Sequence, residues 1–226
     1  MSIIGDTFIL LNSPEVPTKY EELQYIELAS GLIAFDTGIN LSSFQSGILK
    51  MTTTFLSTGY SDISGSYGYI FSYGRSAGFS AVAIRQSNGY WYMRRVRNTM
   101  TASSTKDVLN TNLALEYYDT AGTQYLKVNG TQVVSSALTD AVVSPAGIWV
   151  GAYQGMSGMY TAPGRYGRFK VYDGSNLKFT SIPVRRKTDN ALGFLTIDRY
   201  KNRHFGTAES SGTIGANDIT AGPVVT

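Results

Sequence analysis

The sequence contains no cysteine and a single histidine, His204. No disulfide framework or thiolate metal site is available, and a metal centre built on several histidines is excluded. A Ser-His-Asp nucleophile would have to run through His204, whose neighbours Arg203, Phe205 and Gly206 supply no catalytic setting. Charge is scarce as well: 15% of residues are charged, against roughly 25% in a typical soluble domain. The 19 Lys and Arg residues face 16 Asp and Glu, for a net charge of +3. They form no clustered basic stripe, so nucleic-acid binding is not expected. Long apolar runs are missing too. Ile3, Ile4 and Phe8, Ile9, Leu10, Leu11 are apolar but short, interrupted by Asp6 and preceded by no Lys or Arg. Neither membrane insertion nor a signal peptide is expected of them. Catalytic patterns are also absent. There is no E-x-D-x-E strand of the kind that places two glycosidase carboxylates, no P-loop, no G-x-S-x-G and no H-E-x-x-H. Asp62, Asp119 and Asp140 lie singly near turns, and no calcium ligand array is legible among them. The expectation is a protein that is not an enzyme and has no cofactor and no bound metal.

What the chain does have is strands and turns. Its 16 Tyr and 24 Gly residues sit among short runs that alternate apolar and polar residues, and no window shows the three-and-four spacing of an amphipathic helix. Asn88-Gly89 and Asn129-Gly130 each separate two such runs, and so does Asp173-Gly174-Ser175-Asn176; all three read as hairpin turns. Pro183 is expected to stop ladder pairing, because it has no N–H to donate. The strand around Ile33 to Ile39 is expected to break at Asp36-Thr37-Gly38. Residues 98–112 and 154–164 read as long loops.

Aromatic residues supply the candidate ligand contacts. Tyr67, Tyr69, Phe71 and Tyr73 fall on one face if their strand alternates regularly. Such a ladder either stacks on sugar rings or packs into the core, since aromatics are enriched in strands for packing alone. The candidate glycan-binding residues are Tyr60, Tyr73, Trp91, Tyr153, Tyr160 and Tyr166. Arg94-Arg95-Val96-Arg97 and Arg185-Arg186-Lys187 are candidates for an anion patch or for solvated charge on outer faces.

Two longer phrases carry a resemblance. Residues 168–194, RFKVYDGSNLKFTSIPVRRKTDNALGF, and residues 17–39, PTKYEELQYIELASGLIAFDTGI, resemble the closing and opening segments of a laminin-G/concanavalin A-like jelly-roll family. That family is found in bacteriophage virion proteins and in some proteins of gut bacteria. The resemblance implies an all-β jelly-roll β-sandwich over residues 17–226; residues 1–16, ahead of the matching phrase, read as an apolar arm and a linker with prolines. It implies a non-enzymatic virion surface protein: a fibre, decoration or receptor-binding subunit that contacts host cell-surface glycan through aromatic loops. Ile3, Ile4, Phe8, Ile9, Leu10 and Leu11 either form an extra edge strand on the same sandwich or attach it to other virion proteins, the latter reading favoured because the family phrase starts only after Pro17; a homo-oligomer, a trimer by analogy, is expected. Two alternatives stay open. One is a purely architectural capsid or tail cementing protein with no ligand, the other a carbohydrate-binding module of a bacterial surface protein.

Overall fold

The computed structural model describes residues 15–29, 33–40, 48–59, 67–75, 78–85, 88–95, 99–120, 123–137, 147–151, 160–210 and 214–226. The arm residues Ile3 to Leu11 lie outside them. In chain order the strands are β1 (Tyr20–Glu22), β2 (Ile26–Leu28), β3 (Ile33–Asn40), β4 (Leu49–Ser57), β5 (Tyr67–Arg75), β6 (Gly78–Arg85), β7 (Tyr90–Arg95), β8 (Thr99–Lys106) and β9 (Leu113–Asp119). The chain continues through β10 (Thr123–Val128), β11 (Thr131–Ala137), β12 (Gly147–Gly151), β13 (Tyr160–Thr161), β14 (Gly164–Asp173), β15 (Asn176–Arg186), β16 (Leu192–Asp198), β17 (Arg203–Ser210) and β18 (Ile219–Ala221). No helix occurs among the described residues.

The first sheet runs β11-β10-β9-β4-β14-β15-β16-β17, every neighbour antiparallel. The second runs β17-β3-β12-β5-β6-β7-β8, also antiparallel, with short β13 parallel to β5. Strand β17 belongs to both: Arg203 to Thr207 pair with β16, and Ala208 to Ser210 pair with β3. The apolar halves of the alternating strands meet between the sheets. Met51, Phe55, Leu115, Tyr117, Phe169 and Val171 come from the first sheet, and Phe35, Phe71, Val82, Trp91, Met93 and Val150 from the second. Phe71 touches both Tyr117 and Phe169 across this layer, with centroids 5.4 and 5.6 Å apart.

Turn chemistry sets the hairpins. Asn129 and Gly130 both have positive φ, 49° and 80°, as a type I′ turn requires, and they join β10 to β11. Gly174, with φ 62°, supplies the same freedom between β14 and β15. Three expectations are corrected. Pro183 does not stop its strand: it sits within β15 opposite Phe194 and accepts a hydrogen bond from the Leu23 N–H at 2.9 Å. It lies where the β15 edge passes from β14, last paired at Ser181, to β1, first paired at Val184. The missing N–H therefore falls in a gap between two partners and costs no ladder bond. Asp36-Thr37-Gly38 does not end β3 either. It bulges the strand against β12, with the Asp36 carboxylate accepting from the Gly38 N–H and the Thr37 hydroxyl donating to the Ile148 carbonyl. Residues 99–106 form strand β8 rather than loop. Among the described residues its ladder partner is β7, with the Ser103 hydroxyl donating to the Val133 carbonyl of β11, and such a border strand needs few apolar side chains.

A second, smaller apolar cluster lies on the outer surface of the first sheet, where Ile182, Val184, Leu195 and Ile197 are covered by Tyr20, Val16 and Phe205. Its charged rim is paired. Arg185 meets Glu21 at 2.7 Å and Arg186 meets Asp189 at 2.6 Å.

Where β17 changes sheets, a Cβ on Gly206 would meet the Asp36 carbonyl oxygen, whereas one on Gly59 would meet nothing within 4 Å. Gly206→Ala is therefore expected to destabilise the fold by about 1–3 kcal/mol. Gly59→Ala should stay within about 0.5 kcal/mol of the parent. Urea denaturation of the two variants checks the contrast.

Candidate functional site

The aromatic residues singled out in the sequence do not converge on a surface. Trp91 is fully buried, and Tyr73 and Tyr166 are 1% and 2% exposed. None of these three rings offers a face to a ligand. The Tyr73 hydroxyl donates to Asp119 and lies 2.9 Å from the Tyr117 hydroxyl, while the Tyr166 hydroxyl donates to the Ala162 carbonyl at 2.6 Å. Burial pushes the Tyr166 phenol well above its ordinary value of 10.0. Tyr160 is half-buried in β13, beside Gly68 of β5. Tyr60 and Tyr153 lie outside the described residues. The expected single-faced ladder is broken by a bulge in β5: Tyr69 pairs with Ala83 and Phe71 with Val82, leaving Ile70 as the extra residue. Phe71 and Tyr73 therefore join the core, while Tyr67 packs edge-on against Tyr92, centroids 5.0 Å apart. Arg185 and Arg186 are held in ion pairs, so they do not form the anion patch considered for them; the side chains of Arg94 and Arg95, and all of Arg97, lie outside the description. His204 is exposed, with its ring lying over Gly38.

A different group comes together on the outer surface of the first sheet. In β4, β9, β10 and β14, one alternate set of residues builds the core, so the other set faces out. The cross-strand registers align that outward set into rows. Tyr172, Lys50, Tyr118 and Tyr125 lie side by side across β14, β4, β9 and β10, and Lys170, Thr52, Glu116 and Lys127 form the next row. All eight are half-buried. Four of the eight, Thr52, Glu116, Lys170 and Tyr172, join Arg168, the Glu22 to Gln24 segment and Val225 in lining an open groove of about 700 Å³; Lys50, Tyr118, Tyr125 and Lys127 continue the same surface beyond it.

Contacts within the rows are dense. The Lys50 Nζ lies 5.2 Å from the Tyr118 ring centroid, 5.3 Å from that of Tyr172 and 3.2 Å from Glu116 Oε2. The Tyr118 hydroxyl donates to the same carboxylate at 3.0 Å. Tyr118 and Tyr125 stack at 4.5 Å with a 16° interplanar angle, and Lys127 lies 5.6 and 5.8 Å from their centroids. Arg168 pairs with Glu22. Partial burial alone lowers the Lys50 pKa, but hydrogen bonds to Tyr118 and Glu116 outweigh it and leave the amine above 10.5. Burial likewise pushes Glu116 up, and the Lys50 and Tyr118 hydrogen bonds outweigh it, leaving the carboxyl below 4.5. At neutral pH the pair is fully charged. Cations held over tyrosine rings beside fixed hydroxyls suit a polyhydroxylated ligand better than they suit bond-breaking chemistry.

The sequence reading missed this surface. Its signal is the polar half of four alternating strands, Lys-x-Thr-x-Thr, Glu-x-Tyr, Tyr-x-Lys and Lys-x-Tyr. It becomes visible only once distant strands are set in register.

No family model matches the chain, and no curated protein matches it. Solved structures do. A Bacteroides ovatus protein with a proposed carbohydrate-binding role aligns with 91% of this chain at 12% identity and a TM-score of 0.59; this chain spans 62% of its length. The CBM40 of the Ruminococcus gnavus IT-sialidase, solved with α2,3-sialyllactose, aligns with 68% of this chain and 91% of its own at 14% identity and a TM-score of 0.51. Laminin G domains LG4–5 of the mouse laminin α1 chain cover 86% of this chain and 48% of their own at 11% identity, with a TM-score of 0.47. The likeness is one of fold. The chain is an all-β jelly-roll sandwich, the fold it shares with the Bacteroides ovatus and Ruminococcus gnavus structures, as the opening and closing phrases implied.

Two outcomes are expected from the geometry. Trp91→Ala removes a wholly buried ring and should cost about 3–5 kcal/mol of stability in chemical denaturation. Glu116 has a depressed pKa, so its contribution is present at neutral pH and is lost as pH falls below 4.5. The stability gap between the parent and Glu116→Gln should accordingly be flat from pH 6 to 9 at about 0.5 kcal/mol, allowing for solvent screening, and close under acid conditions.

Proposed function

We propose that this chain is a glycan-binding domain whose recognition surface is the outward face of β14, β4, β9 and β10. The observation that carries the reading is the Tyr172-Lys50-Tyr118-Tyr125 row, which runs outward from the groove at Tyr172: the Lys50 ammonium is held by two rings and Glu116, and the Tyr118 hydroxyl by the same carboxylate, so these groups need little ordering when a ligand arrives. The two carboxylates in the groove, Glu22 and Glu116, are each engaged by a cation. That supports binding without acid–base chemistry. The carbohydrate-binding role proposed for the Bacteroides ovatus protein and the sialyllactose bound by the Ruminococcus gnavus module are in keeping with this.

The setting we propose is the one implied by the two family-like phrases: a head displayed on a bacteriophage virion, attached through the apolar arm and self-associated, with host surface glycan as its target. A carbohydrate-binding module of a bacterial surface protein is the second reading, favoured by the likeness to the Ruminococcus gnavus module.

A glycan array of neutral and acidic saccharides, followed by titration calorimetry on the hits, tests the reading. Tyr118→Ala and Tyr172→Ala should each weaken the best ligand by about tenfold or more while the circular dichroism spectrum and melting cooperativity are retained. Saturable binding that ignores both substitutions would move the site elsewhere, and an array without any hit would end the glycan reading. Light-scattering mass on the same sample decides between a monomer and the expected trimer.

A further inference from the structure

We infer that the saccharide taken by this groove is anionic and spans several sugar residues, with Lys170 and Lys127 as its two anchoring cations; the inference rests on the glycan-binding reading above. It begins from charge. The face carries four cations, Arg168, Lys170, Lys50 and Lys127, against the carboxylates of Glu22 and Glu116. Both carboxylates are already committed, Glu22 to Arg168 and Glu116 to Lys50. Among the described residues neither Lys170 nor Lys127 is in an ion pair. Both are half-buried, one lining the groove and the other at the far end of its row. Lys127 lies across from Glu116 and helps hold its carboxyl below 4.5, but among the described residues neither lysine touches a carboxylate directly; a cation partly withdrawn from water without a direct ion pair favours an incoming anion.

Ring geometry points the same way. A neutral pyranose is ordinarily held by stacking its C–H face on an aromatic face. Here Tyr118 and Tyr125 are stacked on each other, and Lys50 lies over both Tyr118 and Tyr172. Lys127 lies over the Tyr118–Tyr125 pair as well, so these ring faces are already engaged and the row offers a ligand ammonium charge and hydroxyls in place of a bare aromatic platform. Length follows from register. Lys170 and Lys127 sit in one row three strands apart, a Cα separation of roughly 14 Å at the usual spacing between neighbouring strands. One sugar cannot reach both; an oligosaccharide with repeated acidic groups, laid across the strands, can.

The shared chemistry is a carboxylated or sulfated sugar, and the test separates the two. Calorimetry is run with an oligogalacturonate, its carboxyl-reduced neutral form and a sulfated oligosaccharide of similar length, at 50 and 500 mM NaCl. The proteins compared are the parent, the Lys127→Gln/Lys170→Gln double variant and Lys187→Gln, an exposed lysine remote from the groove lining. The parent should bind one of the acidic ligands about tenfold tighter than the neutral form, and high salt should remove most of that preference. The double variant should lose it, while Lys187→Gln keeps it. Equal affinity for acidic and neutral forms, or a preference that survives in the double variant, overturns the inference. If neutral saccharides bind and Tyr118→Ala abolishes that binding, the glycan reading stands and only the anionic preference falls. If no saccharide of either kind binds, the reading and the inference fail together.

Discussion

Strand β14 keeps β4 along one edge for nearly its whole length but divides its other edge, giving Gly164 to Tyr166 to β2 and Phe169 to Asp173 to β15. Most of the first sheet depends on that division. The segment from Tyr20 to Leu28 has to fill the wedge, so it starts against the far end of β15 and finishes against the near end of β14. Pro183 sits where β15 changes neighbours, and a bulge at Gly167 and Arg168 lets β14 bend towards its second partner; a Cβ on Gly167 would collide with Thr54. The ion pairs Glu21–Arg185, Glu22–Arg168 and Glu27–Arg165 all lie along this seam. The two phrases that resemble the opening and closing segments of the jelly-roll family are therefore two sides of one joint, remote in sequence and adjacent in space.

The same wedge divides the outer surface of the first sheet. Over β15 and β16 that surface is apolar, and the incoming chain covers it: Val16 and Tyr20 lie on Ile182, Val184, Leu195 and Ile197, each of which contributes about 1.5–3 kcal/mol when buried. Over β4, β9 and β10 no strand crosses among the described residues, and the outward residues turn to Lys, Thr, Glu and Tyr. One sheet thus carries a second core on one half of its outer face and a polar, aromatic groove on the other. Val225, at the margin of the groove, lies on the boundary between the two halves.

Much of this was legible in the sequence, and the gaps have physical causes. Asn129-Gly130 and Gly174 mark their hairpins because few residues other than Gly and Asn tolerate positive φ. The all-β class follows from period-2 alternation. Burial was the harder question. Alternation divides a strand into two faces without saying which one a third layer covers, so Trp91 and Tyr166 looked like ligand contacts and are core. In β5 a single extra residue, Ile70, reverses the faces midway, and no local signal announces it. The Tyr-Lys rows were invisible for another reason: Tyr172 and Lys50 are neighbours only through the long-range pairing of β14 with β4, and sequence does not print register.

The pairing of the first described strands with the last has a mechanical consequence. Glu22 accepts from the Val225 N–H and Tyr25 from the Gly222 N–H, while Gln24 donates to the Pro223 carbonyl, so residues 22–28 and 219–225 run antiparallel. Residues 22 and 225 thus lie side by side, with residues 20–22 also held to β15. A pull that separates them loads these bonds one after another, as a zipper opens, instead of shearing them together. Tension between the two ends would peel the 219–225 segment away at low force while β4 and β14 remained locked, and because Val225 lines the groove, the groove would change shape before the sandwich did.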